Sequence, residues 1–542
     1  MEQKSKIKKQ TSKQRSIKFS FAIVAQILFV GAEFFTSAPP ALAKDIEISV
    51  GVVQRFGTET DDRLILESYA GNSLNFTTNS PTPKTIATDK IVLEISMQPL
   101  EVAKIQEKII LSDRATFETA EDSAKQWQKL GIQVEIAQPG RWQVWAKRDV
   151  YNTPILRRWL LQSLKDRGYN EPLLETNLQQ AKPQVIAIVE GEVYQGREFT
   201  INSSSDRIYV NVDDRQRFLY GGSLKLQPNA YGNFTLVNLV PLETYLRGVV
   251  PYEIGASAPR RAIEAQTIIA RTYALRNLRR FVTDNYQLCA TVHCQVYKGL
   301  KGATPRTDRA IAATEGKVLT YENQLVDALY YSTSGGITAP FNDSWNGADR
   351  SYLRARIDST RNIWDLSAYS LASESNFRRF IAKNRGFNET GVSVFRWNKA
   401  SSIADLDRDL RKYLEKIKHP LANFQTLEKL EVTERSNSGR ILTLIVTTDL
   451  GEILLHKNEI RSALGPPRST LFYLESVRDE NGILSGYKFI GGGFGHGVGL
   501  SQRGSYTLAR LGWSAARILE FYYPGTTIQT INDSIVFWQE SD

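Results

Sequence analysis

A chain of 542 residues with 42% hydrophobic and 23% charged side chains exceeds one ordinary core, and its composition excludes a fibrous or wholly disordered protein. Two cysteines exclude a disulfide-dense scaffold, and four histidines leave little for a multi-metal centre built on imidazole. The formal charge of +10 is concentrated at one end: residues 1–43 hold seven Lys/Arg against two acids, which is half of the excess, and the remainder gives no case for nucleic acid.

Residues 1–43 read as a signal peptide. Met1 to Lys18 is basic, Phe19 to Val30 is an apolar run short for a membrane span, and Ala41-Leu42-Ala43 supplies a small-x-small cleavage pattern. The expectation is an exported protein of the periplasm or cell wall, touching a membrane only through this segment if it stays uncleaved.

Residues 44–182 read as an N-terminal α+β region. Within it, Ile91–Ile95 alternates as a strand, and a helical pattern follows with Ala120, Ala124, Trp127 and Leu130 inward, capped at Thr119 and stopped at Gly131. Ile132–Ile136 and Trp142–Ala146 form two further strands, and Pro154 opens a helix with Ile155, Trp159, Leu160 and Leu164 inward. This order over residues 111–169 resembles the SPOR-like fold, a small module that often binds peptidoglycan; a generic α+β spacer fits the same pattern. Pro183–Val240 reads as antiparallel sheet. Residues 364–464 read as a mixed insertion, with helical stretches at Phe377–Lys383 and Ile403–Ile417 and a hairpin over Thr443–Leu455.

The chemistry concentrates around Glu253. It lies among Val249, Val250, Tyr252 and Ile254, in a loop just ahead of a helix opened by Pro259 and lined by Ala262, Ala265, Ile269 and Tyr273. Apolar surroundings disfavour a carboxylate, so the group stays protonated to higher pH and suits proton donation to a glycosidic oxygen. An exposed carboxylate, or one paired with Arg260, is the plainer alternative. Further on, six glycines between Gly491 and Gly499 surround His496, which reads as a substrate contact, as a group that orients Glu253, or as part of a turn capping the helix Leu500–Leu511. Gln502 is placed to hydrogen-bond a sugar, and Trp345 and Tyr252 offer aromatic faces for one or simple core packing.

Several blocks in this region occur in a fixed order. Leu242-Glu243-x-Tyr245-Leu246-x-Gly248-Val249-Val250 precedes Glu253, and Glu264-Ala265-Gln266-x-x-x-Ala270-Arg271-Thr272-Tyr273 follows it. Tyr331-Ser332-x-Ser334-Gly335-Gly336, Trp345 through Asp358, and Gly493 to Gly504 come later. Together they resemble the SpoIID/LytB family, whose members include a peptidoglycan lytic transglycosylase acting on strands stripped of stem peptides and an enhancer of a cell-wall amidase. The resemblance implies a multi-domain α+β fold of antiparallel sheets and packed helices, with the family region split between residues 183–363 and 465–542. It implies Glu253 as catalytic acid, although Ile254 and Gly255 stand where methionine and proline usually follow. Read from the residues themselves, the candidate substrate contacts are His496, Gln502, Ser334, Trp345 and Tyr252.

The expected activity is cleavage between N-acetylmuramic acid and N-acetylglucosamine to leave a 1,6-anhydro end. One carboxyl serves as acid and then base there; hydrolysis needs a second, for which Asp343 and Asp358 stay open. The alternative is a non-catalytic wall-binding activator of an N-acetylmuramoyl-L-alanine amidase. Expected partners are glycan strands and, under the alternative, that amidase. No cofactor is required. Cys289, His293 and Cys294 could contribute to a structural zinc site, as in relatives with a further histidine upstream, or Cys289 and Cys294 could form a disulfide.

Overall fold

Alternating apolar side chains in Glu47–Phe56 and Phe234–Pro241 pair these two strands antiparallel, far apart in sequence though they are. They anchor a seven-stranded sheet continued by Ser223–Pro228, Phe199–Ser203, Leu74–Thr78 and Thr85–Thr88, with Leu288–Cys289 parallel on the other edge. The computed structural model describes residues 46–79, 81–212 and 216–538; the signal peptide expected over residues 1–43 lies outside them. A second sheet is organised by the long strand Lys90–Arg114, which pairs with Arg63–Ser68, Trp142–Ala146 and Leu173–Val189. Leu66, Leu93 and Ala187 from this sheet and Phe76, Ile201 and Leu226 from the first are fully buried in one core. The mixed α+β class with several antiparallel sheets agrees with expectation. The boundary placed at 182/183 does not: it cuts the continuous strand Leu173–Val189.

The helix behind Glu253 spans Arg260–Arg276. Ala262, Ala265, Ile269 and Tyr273 are buried as expected, but so are Glu264, Gln266, Arg271 and Thr272. It is therefore a central helix buried all round over Ala262–Leu275 rather than an amphipathic one, and its polar groups are met from within, except the Gln266 amide, which has no hydrogen-bond partner. Arg271 meets both carboxylate oxygens of Glu243 at 2.7 Å and donates to the Lys317 carbonyl at 2.9 Å. Removing one partner of such a buried pair costs about 3–5 kcal/mol.

The N-terminal α+β unit is docked, not tethered. Its first helix, Phe117–Lys129, is capped by Thr116 rather than Thr119. Glu118 and Glu121 on that helix form ion pairs with Arg280 and Arg279 past the end of the central helix. Trp142 bridges Phe117 and Phe281, with ring centroids 5.0 and 5.1 Å away. The second helix, Pro154–Asp166, is rotated from the expected phase: Ile155 is 61% and Trp159 70% exposed, while Leu160, Leu161 and Leu164 pack inward. Arg157 and Arg158 both bind Glu107, whose side chain is 6% exposed, and this pairing turns the helix away from the purely apolar phase.

In the insertion, helices Glu374–Ala382 and Ile403–Lys416 and the hairpin Ile441–Thr448/Gly451–His456 match the sequence pattern closely. Among the described residues no helix is long and apolar enough to cross a membrane.

Candidate functional site

The helix Leu242–Val250 runs directly into a single π-helical turn, Pro251–Gly255. Pro251 has no N–H to continue the α-helical ladder, and the chain widens there instead of ending in the loop expected from sequence. The widened turn leaves carbonyls to be captured. Gln502 Nε2 donates to the Glu253 carbonyl at 2.9 Å, and the Tyr506 hydroxyl donates to that of Ile254. Both come from the helix Gln502–Arg510, which is capped by Ser501 and not by His496. The backbone carrying Glu253 is thus held at two successive carbonyls by one helix.

Its side chain is half-buried and faces a cleft of about 660 Å³. The Val296 N–H donates to Glu253 Oε1 at 2.7 Å, and the Tyr330 hydroxyl also hydrogen-bonds the carboxyl. Gln295 Nε2 donates to Tyr330 Oη and Gln295 Oε1 accepts from Tyr245, each at 3.2 Å, so a polar relay lies behind the acid. Burial nevertheless dominates and holds the Glu253 carboxyl above the usual range, against these two bonds that favour its charged form. Tyr330 itself is pushed well above the ordinary phenol range by burial and by Glu253, so it remains a donor. Glu118 is the other carboxylate lining the cleft among the described residues, and it is ion-paired with Arg280.

His496 lies on the glycine-rich loop, which is zipped to Leu329–Ala339 by reciprocal backbone bonds between Thr333 and Phe494 and by parallel pairing of Tyr330–Tyr331 with Leu500–Ser501. Gly497 needs φ +84°, and a Cβ there would stand 2.2 Å from the buried Arg440 guanidinium. The imidazole accepts from the Val498 N–H at Nδ1 (3.1 Å), so its Nε2 carries the proton and donates to the Tyr330 carbonyl at 2.9 Å. Burial and the nearby Arg461 hold its pKa down at about 3. It is a fixed, neutral ring with both nitrogens occupied: it orients the strand bearing Tyr330 and cannot act as a base.

The remaining expected contacts divide. Trp345 lines the cleft but is 6% exposed, its ring packed against His496 (4.8 Å) and Phe341 (5.2 Å), so it is wall rather than a free stacking face. Tyr252 is 37% exposed but points away from the cleft, its ring lying over Gly302. Ser334 is fully buried, donating to Asp358 at 3.0 Å and accepting from the Gly336 N–H, and is not a substrate contact. Asp343 is held by Ser436 and Ser438, and Asp358 by Asn388, Ser334 and Tyr522; neither reaches the cleft.

Cys289 and Cys294 are joined as a disulfide, with Cα atoms 5.7 Å apart. The zinc alternative does not fit, because both sulfurs are engaged and among the described residues no group of three or more His, Cys, Asp or Glu could hold a metal. His293 is exposed and lines the cleft. Though much of its surface is exposed, desolvation of the ring against the cleft wall, with Arg280 and Lys416 nearby, holds its pKa below the ordinary value.

Residues 230–321, which include Glu253 and Val296, match the Stage II sporulation protein family. The chain is 31% identical over 310 residues to the amidase enhancer of Bacillus subtilis (strain 168), covering 52% of this chain and 40% of that protein. It is 27% identical over 312 residues to the stage II sporulation protein D of Bacillus amyloliquefaciens, covering 54% of this chain and 75% of that protein. These matches support the resemblance of this region to the SpoIID/LytB family. It spans less than half the length of the amidase enhancer it matches. A second match, to a domain of unknown function (DUF8618), runs over residues 339–499 and so includes both the insertion and the His496 loop.

Several cleft residues escaped the sequence reading. Tyr330 stands immediately before a quoted motif, and Phe494, inside another, is the aromatic exposed at the cleft (42%). Arg461 and Asn458 come from the insertion, and Thr116, Phe117 and Trp142 from the N-terminal unit. Nothing in local spacing connects these three stretches of chain.

Proposed function

We propose that this protein is an exported, cell-wall-directed lytic transglycosylase that cleaves peptidoglycan glycan strands at Glu253. Similarity to the Stage II sporulation protein family over residues 230–321 and to the amidase enhancer and stage II sporulation protein D supports the coarser statement, a role at the cell wall. The observation that carries the finer one is a single carboxyl without an ion-pair partner among the described residues, its proton affinity raised by burial, facing an open cleft whose other carboxylate is neutralised by Arg280. Glu253 donates its proton to the glycosidic oxygen as the bond to muramoyl C1 breaks. The resulting carboxylate accepts the proton of the muramoyl 6-hydroxyl as that oxygen bonds to C1, which closes the 1,6-anhydro ring and restores the acid. No water enters the balance, so no second carboxylate is needed. The Val296 and Tyr330 donors steady the anion that exists between the two transfers.

Reaction in ¹⁸O-labelled water tests this. Anhydro ends without label are expected; reducing ends carrying ¹⁸O would replace ring closure with hydrolysis. The similarity to a protein named an amidase enhancer favours a second reading, activation of a wall amidase. Under that reading glycan strands stay intact, and release of stem peptides by an added amidase rises in the presence of this chain.

A further inference from the structure

Two short segments carry groups that hold Glu253. Tyr330, whose hydroxyl bonds its carboxyl, lies on the strand Tyr330–Tyr331, and Gln502, whose amide bonds its carbonyl, directly follows the strand Leu500–Ser501. These strands pair parallel over two residues each, a ladder so short that side chains must fix their alignment. One side chain bonds both segments. Glu389, from the insertion, is fully buried and accepts from the Ser334 and Gly335 N–H groups, on the turn that follows Tyr331, and from the Ser501 hydroxyl. That hydroxyl in turn accepts from the Gly504 N–H at 3.0 Å and so caps the helix Gln502–Arg510. The helix supplies Gln502 to the Glu253 carbonyl and Tyr506 to that of Ile254.

No ion pair explains a carboxyl at this place. The nearby Arg396 donates instead to the Ile381, Gly335 and Lys383 carbonyls. Burial and the adjacent Asp358 keep the proton on Glu389 up to about 8, and the hydrogen bond between the two carboxyls favours protonated Glu389 and ionised Asp358. The neutral acid donates to Asp358 and accepts from two N–H groups and a hydroxyl. An apolar side chain would leave all of these groups buried and unpaired.

We infer that Glu389 is a positioning residue for Glu253: it locks the segment bearing Tyr330 to the helix bearing Gln502, so that the insertion aligns the catalytic carboxyl. The inference rests on the reading of Glu253 as the acid that cleaves glycan. Neither Glu389 nor Ser501 lines the cleft, so their influence on the reaction passes through Tyr330 and Gln502 and leaves the strand-binding surface in place. Displacing a catalytic group by about 1 Å costs roughly a hundredfold in rate. The loss therefore falls on kcat and spares KM.

Steady-state formation of anhydro-muramoyl ends from stem-free glycan strands by the full chain tests the assignment. Glu389→Gln keeps an oxygen for Ser334 and Ser501 and an N–H for Asp358, losing only the Gly335 bond, and should retain kcat within roughly threefold. Glu389→Ala should lower kcat roughly a hundredfold with KM changed less than about threefold. Ser501→Ala should lower kcat roughly tenfold, and the double variant should be no slower than Glu389→Ala, because both changes break one contact. Asn388→Ala removes a bond to Asp358 but none to either segment, so it should lower the melting temperature and leave kcat unchanged. An unchanged kcat in Glu389→Ala and Ser501→Ala, a loss confined to KM, or an equal loss of kcat in Asn388→Ala would overturn the assignment while leaving the glycan reading intact. Should Glu389→Ala not fold, Ser501→Ala decides in the same way. Strands left uncut by the unaltered protein would overturn the glycan reading and this role with it.

Discussion

Tyr330→Phe removes one of the two hydrogen bonds that favour the ionised form of Glu253 and leaves the Val296 N–H as the other. A hydrogen bond to a charged group is worth about 1.5–3 kcal/mol, which corresponds to roughly a ten- to hundredfold change in the ionisation constant of the acid. The sign follows from the chemistry: the bond stabilises the carboxylate, so its loss makes Glu253 hold its proton to higher pH. General-acid catalysis falls as pH rises through that ionisation, so the alkaline limb of the kcat/KM profile for anhydro-end formation should move upward. The variant also strands Gln295 Nε2, which donates to Tyr330 at 3.2 Å, and should unfold at lower temperature by the equivalent of about 1–3 kcal/mol. An alkaline limb that stays put or moves down would refute the assignment of Tyr330 as the residue that lowers the Glu253 proton affinity.

Gly497→Ala combines a φ of +84° with a Cβ 2.2 Å from Arg440, so thermal unfolding should show a loss of about 1–3 kcal/mol from the backbone alone, and more from the collision. Reducing the Cys289–Cys294 bridge releases a short loop worth about 2 kcal/mol by chain entropy, and since Val292 and His293 line the cleft, a reductant should lower both melting temperature and glycan affinity, whereas a chelator should change neither. Burial and the adjacent Asp358 raise the Glu389 carboxyl from 4.5 to about 8, so the folded state holds a proton that the unfolded chain releases. The stability from that proton is complete at low pH and is lost as pH rises toward and through about 8; calorimetric melts of Glu389→Gln should show a flatter dependence on pH over this window.

Sequence pattern carries the local elements well. The hairpin around Leu450-Gly451 and the helix Ile403–Lys416 follow from alternation and 3.6-residue periodicity, because each buries one face against a nearby layer. Periodicity says less where charge sets the phase, as at Pro154–Asp166, where the Glu107 pairs expose Trp159. It also says little for the fully enclosed central helix, which has no solvent face to mark. The apolar setting of Glu253 was legible because its neighbours Val249, Val250 and Ile254 are adjacent in sequence. Ser334 misled because a Ser-Gly-Gly turn looks alike whether it meets solvent or, as here, is buried over the Asp358 and Glu389 carboxyls. The cleft itself joins residues from Ala115 to Gln502, and such convergence is a property of the tertiary fold alone.

The most direct measurement is mass spectrometry of stem-free glycan strands after incubation with the protein and, in parallel, with Glu253→Gln. The amide preserves the shape of the side chain and its place beside Val296 but has no proton to give. Anhydro-muramoyl ends from the unaltered protein and none from the variant are expected. Intact strands with both proteins, on glycan that another muralytic enzyme cleaves, would contradict catalysis at Glu253 and leave the cleft to the activator of an amidase.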